Sequence, residues 1–207
     1  MSYSIMTAFS FLFGLIVGSF LNVCIYRIPL KKSIISPPSS CPSCGERIRF
    51  YDNIPIISYI ILRGKCRRCG KPISIRYPFI ELMTGLLSLA VFVNYSHYGQ
   101  YFSLFIFVSA LVVITFIDLD HQIIPDIISL PGIFAGVLAT VILSSIIAGY
   151  RISNYEIKWY DSIIGVLAGG GILYLVAVGF EKLTGKEGMG GGDIKLLAMI
   201  GAWMGWR

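Results

Sequence analysis

The chain is predicted to be an all-α polytopic membrane protein, a bundle of about six transmembrane helices with a small cytoplasmic four-cysteine insert. Three observations predict it. The 207 residues are 56% hydrophobic and only 14% charged, where a soluble domain carries about a quarter charged residues. With a mean hydropathy of +0.77, the apolar surface exceeds the needs of one packed core and is left for lipid. Apolar runs able to cross ~30 Å of hydrocarbon at ~1.5 Å per residue recur along the chain. Finally, 11 of the 17 Lys and Arg fall between Arg27 and Arg76, in the one long polar segment, as the positive-inside rule places them on the cytoplasmic side. No stacking pattern of aromatic residues accompanies those charges, so no nucleic-acid partner is expected.

The first run, residues 4–25, has no basic stretch before it, and Arg27, Lys31 and Lys32 after it. It therefore reads as a retained helix with its N-terminus outside, not as a cleaved signal peptide. Gly14, Gly18 and Ser19 give it one small-residue face for close packing on another helix, and Cys24 within it reads as a small packed hydrophobe. Residues 33–76 form the polar insert. The second run covers 79–93, and the uncharged outer turn 94–100 (NYSHYGQ) holds His97 as an interfacial polar residue. The third run, 102–117, stops at Asp118-Leu119-Asp120-His121. After Pro125-Asp126 a fourth run reaches about Ala148. An outer loop over 151–161 places Trp159 and Tyr160 in the interfacial aromatic belt. The fifth run, 163–180, returns the chain to Glu181-Lys182 and Lys186-Glu187. The last run, 194–206, offers ~13 residues, about 20 Å of helix, and Lys195 interrupts it, which suggests a fragment or a helix ending inside the bilayer. The expected division is a first helix over 1–27, a cytoplasmic metal-binding domain over 28–76 and a transmembrane core over 77–207.

Five cysteines include Cys41-Pro-Ser-Cys44-Gly45 and Cys66-Arg-Arg-Cys69-Gly70, two knuckles separated by 21 residues. A segment facing a reducing compartment favours metal over disulfide. In each knuckle two thiolates converge while the glycine admits a tight turn. Four sulfurs make a closed tetrahedral site with no open position, so structural zinc is expected, with a rubredoxin-like iron centre and unligated thiols as alternatives. Lys65, Arg67 and Arg68 are expected to offset part of the thiolate charge.

Carboxylates are costly near hydrocarbon and call for an account. Asp118, Asp120 and Asp126 lie between the third and fourth runs, and Asp193 follows the glycine cluster ending Gly190-Gly191-Gly192. The topology puts all four on one membrane face. Two carboxylates brought together do not both ionise cheaply; one keeps a proton and the other becomes a base. Such a pair activates water against a peptide carbonyl and protonates the leaving amine. Other roles stay open: Asp126 as a helix cap, Asp120 as a solvated charge, Glu81 as a partner of Arg76 or Lys65, and the aspartates as an ion or proton pathway. The glycines lack the strand and the G-K-[ST] ending of a nucleotide loop.

Together "VGSFLNV", Cys41-Pro-Ser-Cys44, "YDNIPIISY" (51–59), "RYPFIEL" (76–82), "IDLDHQIIPD" (117–126) and "TGKEGMGGGDIKLLAMIGAW" (184–203) resemble the bacterial type IV prepilin peptidases. These are membrane aspartyl proteases of the G-x-G-D class, which also includes presenilin-like enzymes. The resemblance implies cleavage of prepilin and pseudopilin leaders at the cytoplasmic face of the bacterial inner membrane. It also implies N-methylation of the new amino terminus from S-adenosylmethionine. By position it makes Asp118 and Asp193 the catalytic pair, with Gly190 and Gly192 as the G-x-G and Asp120 and Asp126 in support. Cys41, Cys44, Cys66 and Cys69 become the zinc ligands, and Gly64 and Lys65 the methyl-transfer positions. Family members continue beyond "GAWMGW", so the chain is expected to lack the last helices. A non-catalytic adaptor that binds prepilins is the alternative from a different class. Prepilins, pseudopilins and membrane lipid are the expected partners.

Overall fold

The computed structural model describes residues 3–95, 97–146, 150–152, 155–185 and 190–206. The expected ends Ala148 and Lys186-Glu187, and the motif residues 186–189, lie outside them. The protein is an all-α polytopic protein with a four-cysteine cluster, and among the described residues five helices are long and apolar enough to cross a membrane. Its elements are α1 (Tyr3–Arg27), a 3-10 turn (Phe50–Asn53), α2 (Ile57–Ile61), α3 (Arg76–Asn94), α4 (Tyr98–His121) and α5 (Asp126–Ile146). After them come α6 (Trp159–Val166), a π-turn (Leu167–Gly171), α7 (Ile172–Thr184) and α8 (Gly191–Met204). The first, second, third and fifth apolar runs become helical stretches extended at both ends, because the flanking polar residues can complete turns once the run is helical, whereas α8 starts three residues before its expected run and ends two residues short of it. Between α5 and α6 the expected outer loop contains an antiparallel hairpin, β1 (Tyr150–Ile152) on β2 (Tyr155–Ile157), with Tyr150 opposite Ile157.

The chain divides into two compact units, Met1–Ser96 with Leu111–Phe116, and His97–Ala110 with Ile117–Arg207. In the first, α1 packs on α3 through small residues. A Cβ added to Gly18 would lie 2.8 Å from the Glu81 Cα, and one on Gly14 would lie 2.8 Å from the Gly85 Cα, so the backbones approach as only glycine allows. That approach permits bonds between the helices. The Ser88 hydroxyl donates to the Ser10 carbonyl at 2.7 Å, and Asn22 Nδ2 donates to the Tyr77 carbonyl at 3.2 Å. Each contributes about 0.6 kcal/mol in a membrane.

In the second unit α8 is the central element. Met199, Ala202 and Trp203 are buried, Trp203 Nε1 donates to the Gly132 carbonyl at 2.8 Å, and Phe107 stacks on the indole at 5.2 Å between centroids. On the α6 side the Ser162 hydroxyl donates to the Ala202 carbonyl at 2.6 Å. Gly165 and Gly201 bring the α6 and α8 backbones together so closely that a Cβ on either would fall on the other's carbonyl. The 14 residues of α8 are thus held by neighbours along most of their length, which is how so short a helix is stabilised.

Candidate active site and metal centre

The two cysteine knuckles are built alike. In the first, the Cys41 N–H donates to the Glu46 carbonyl and the Gly45 N–H to the Cys41 carbonyl, both at 2.9 Å. In the second, the Cys66 N–H donates to Lys71 at 2.8 Å and the Gly70 N–H to Cys66 at 2.9 Å. Gly45 and Gly70 take φ of +71° and +68°, a left-handed turn that favours glycine. Each knuckle is closed by a single antiparallel bridge, Ser40 to Arg47 and Lys65 to Pro72. The four sulfurs come within 4.8 Å of one another, with Cys41 Sγ and Cys69 Sγ 3.9 Å apart. Zinc–sulfur bonds of ~2.3 Å in a tetrahedron require edges of ~3.8 Å, so the donor set fits that ion.

Backbone donors also prepare the ligands. The N–H groups of Ser43 and Cys44 hold the Cys41 thiol down at about 6, and those of Cys69 and Arg68 lower Cys66. Burial, followed by hydrogen bonds with the Cys41 and Cys69 thiols, pushes Cys44 up to about 12. A cation is what would bring all four to the thiolate state together.

The arginines expected to face the thiolates are engaged elsewhere. Arg67 grips Asp52 with two nitrogens, Nε to Oδ2 at 2.9 Å and Nη2 to Oδ1 at 2.6 Å, and Arg68 pairs with Glu46. The guanidinium beside Asp52 holds its carboxyl below the usual carboxylate range. Neither acid lies at helical spacing from its arginine, so these pairs depend on the folded insert. Gly64 is buried at a left-handed turn (φ +66°), where a Cβ would lie 2.9 Å from the Tyr59 hydroxyl, and Lys65 is exposed beside it. Glu81 is paired with neither Arg76 nor Lys65. It is buried and accepts the Ile56 N–H at 2.8 Å and a hydrogen bond from Ser19, while Arg76 donates to the Phe116 carbonyl at 3.1 Å.

The acidic residues occupy three helix ends in the second unit. Asp118 lies in the last turn of α4, where its carbonyl accepts the Gln122 N–H at 2.8 Å and Gln122 turns the chain with φ +54° and ψ +39°. Asp120 and His121 end the same helix and are exposed. Asp193 lies in the first turn of α8 behind Gly190, whose carbonyl accepts its N–H at 3.2 Å. Two contacts bind these ends together. A Cβ on Gly192 would lie 2.9 Å from Ile124 Cβ, so at this position only glycine lets α8 start so close to the α4–α5 turn. Lys195 Nζ reaches both Asp126 oxygens, at 2.7 and 2.8 Å. Asp126 is therefore not a cap. It is the first residue of α5, and the Pro125 carbonyl accepts the Ile128 and Ser129 N–H groups.

Asp118 and Asp193 are both exposed, and among the described residues neither carboxylate has a hydrogen bond or ion pair. The positioning pair was hidden in the sequence, where Lys195 reads as an interruption. Its signal was a lone cation two residues beyond Asp193, on a face rich in carboxylates.

Residues 12–95 match the Bacterial Peptidase A24 N-terminal domain, and residues 105–207 match the Type IV leader peptidase family. The chain is 38% identical over 221 residues to the prepilin leader peptidase/N-methyltransferase of Aeromonas hydrophila, covering 95% of this chain and 72% of that protein. The protein of that name from Myxococcus xanthus is 40% identical over 199 residues, 96% of this chain and 56% of the relative. That from Neisseria gonorrhoeae is 38% identical over 216 residues, 93% and 72%. No solved structure matches the chain significantly. Two family models that follow one another along the sequence, and relatives this similar over most of their own length, lead to one conclusion: the chain belongs to the prepilin leader peptidase/N-methyltransferase family.

Proposed function

We propose that this chain is a membrane aspartyl endopeptidase that removes the leader peptides of type IV prepilins and pseudopilins, with Asp118 and Asp193 as the catalytic pair. The observation that carries this reading is the tie between the two helix ends, Gly192 against Ile124 and Lys195 on Asp126. It holds the turn bearing Asp193 beside the connection that follows Asp118, and among the described residues neither carboxylate has a hydrogen bond or ion pair. The basic insert faces the cytoplasm of a bacterial inner membrane by the positive-inside rule, and cleavage occurs at that face.

In the reaction one carboxylate takes a proton from water as the water oxygen attacks the scissile carbonyl carbon. The other, protonated, donates to the carbonyl oxygen. The tetrahedral intermediate collapses: the C–N bond breaks, the proton held by the first carboxylate passes to the leaving amine, and a hydroxyl proton of the intermediate returns to the second carboxylate as the carbonyl re-forms. No covalent enzyme intermediate forms. Gly190 keeps the α8 terminus open so that a substrate backbone can approach, Gly192 admits Ile124 of the α4–α5 turn, and Asp126 fixes α8 through Lys195. Asp120 lies on the same α4 end in support.

Cys41, Cys44, Cys66 and Cys69 hold a structural zinc ion in this reading, because four sulfurs at tetrahedral spacing leave no site for a reacting ligand. The second reaction in the relatives' name, N-methylation of the new amino terminus, is assigned to the insert, with Gly64 and Lys65 as its positions. S-adenosylmethionine would supply an electrophilic methyl group there. Leader cleavage of a prepilin in lipid tests the main reading. Wild type cuts, and Asp118→Asn and Asp193→Asn are inactive while retaining fold and metal. Variants that cut as well as wild type would remove the aspartate assignment.

A further inference from the structure

Helix α2 of the insert is apolar on its outside. Ile57, Ile60 and Ile61 are 54%, 67% and 68% exposed, while Ser58 is buried. The Ser58 hydroxyl donates to the Tyr51 carbonyl at 2.9 Å and accepts the Ile54 N–H at 3.1 Å, which pins the inner side of this turn. A single exposed isoleucine needs no explanation, but three on one short helix of a charged insert do.

Two features set the depth of this surface. The Ile56 N–H donates to the Glu81 carboxylate at 2.8 Å, and Glu81 lies five residues, ~8 Å of axis, beyond the start of α3. A groove of about 580 Å³ runs along α1 from Arg27 back to Ile16, with Pro37, Ile54 and Pro55 of the insert among its lining. Those twelve residues of α1 are ~18 Å of helix. The segment leading into α2 thus lies alongside the apolar helices α1 and α3, one to three turns inside their polar ends. Nearby in the insert Arg47, Arg63 and Lys65 are exposed and, among the described residues, without a carboxylate partner.

We infer that residues 54–61 form an interfacial wedge seated in the headgroup–acyl boundary of an anionic bilayer, with the α2 isoleucines among acyl chains and the free cations of the insert on phosphates. The wedge holds the metal-bearing insert against the membrane independently of any peptide substrate, and it does not rest on the peptidase reading.

The test uses the full chain in nanodiscs of phosphatidylglycerol, with p-benzoylphenylalanine replacing Ile60 or, as a lipid-facing reference, the exposed Phe134 of α5. Ultraviolet irradiation and mass spectrometry should find phospholipid adducts at both positions. The yield at position 60 should fall when phosphatidylcholine replaces phosphatidylglycerol, while that at 134 holds. Lipid adducts at 134 alone, with metal content intact in both proteins, overturn the proposal. Displacement of the position 60 adduct by added prepilin would make this surface a substrate seat and overturn it equally. Equal yields at 60 from both lipids overturn the anionic preference.

Discussion

The cysteine knuckles and the paired helix ends hold their functional groups by opposite means. Around the sulfurs every fixing element is local: backbone N–H groups, a left-handed glycine and a one-residue bridge, each used twice. Around Asp118 and Asp193 no local partner grips the carboxylates among the described residues, and their helix ends are tied by contacts between residues 68 or more positions apart, Ile124 with Gly192 and Asp126 with Lys195. A structural ligand gains from being over-determined, whereas a carboxylate that handles water must keep its oxygens free. The difference teaches where each kind of damage should appear.

The largest effect is expected at the metal. Cys41→Ser should remove the ion and unfold the insert, because structural zinc in small domains is worth about 10–16 kcal/mol. Metal analysis and limited proteolysis of the insert report it. Asp118→Asn or Asp193→Asn should lower leader cleavage by roughly 10²–10⁴-fold with unchanged metal content and melting temperature. Metal loss in those variants would break the contrast.

A smaller effect sharpens it. Lys195→Ala should slow cleavage about 2- to 5-fold, the scale of an exposed ion pair. The double exchange Asp126→Lys with Lys195→Asp should recover most of that, and no recovery would mean the pair does not position α8. The smallest change concerns Asp52, whose partner Arg67 is 51% exposed. Asp52→Asn should cost about 1 kcal/mol or less. Because the folded carboxyl is held below its ordinary range, that stability is present above the unfolded value of ~3.9 and is lost as pH falls through the folded one. Thermal unfolding of wild type and Asp52→Asn should therefore differ near neutrality and converge in strong acid.

Residues with local causes were legible in the sequence. The five spans follow from apolar length, and the two C-x-x-C-G knuckles from spacing alone. Gly14 and Gly18 disclosed a close helix contact because small residues four apart share one face. What stayed hidden depends on tertiary arrangement. Arg67 and Arg68 read as nearby charges offsetting part of the thiolates', and the sequence did not disclose that they pair with Asp52 and Glu46, 15 and 22 residues away. Glu81 invited a basic partner and instead received a backbone N–H. The hairpin at 150–157 has three-residue strands, too short for any alternation to register.

The π-turn at Leu167–Gly171 separates two different surroundings. Before it, α6 buries Asp161, Ser162 and Gly165, and Gly165 lies against the α8 backbone; after it, α7 buries nothing. Within the turn, Gly169 and Gly170 still meet Leu197 and Ala198 of α8. One extra residue in a turn shifts the phase of everything downstream by about 100°. The turn therefore lets one continuous helix present its small residues to α8 before the glycines and a differently phased, unburied face after them. Shortening the glycine run by one residue would turn the α7 face by about 100° relative to α6.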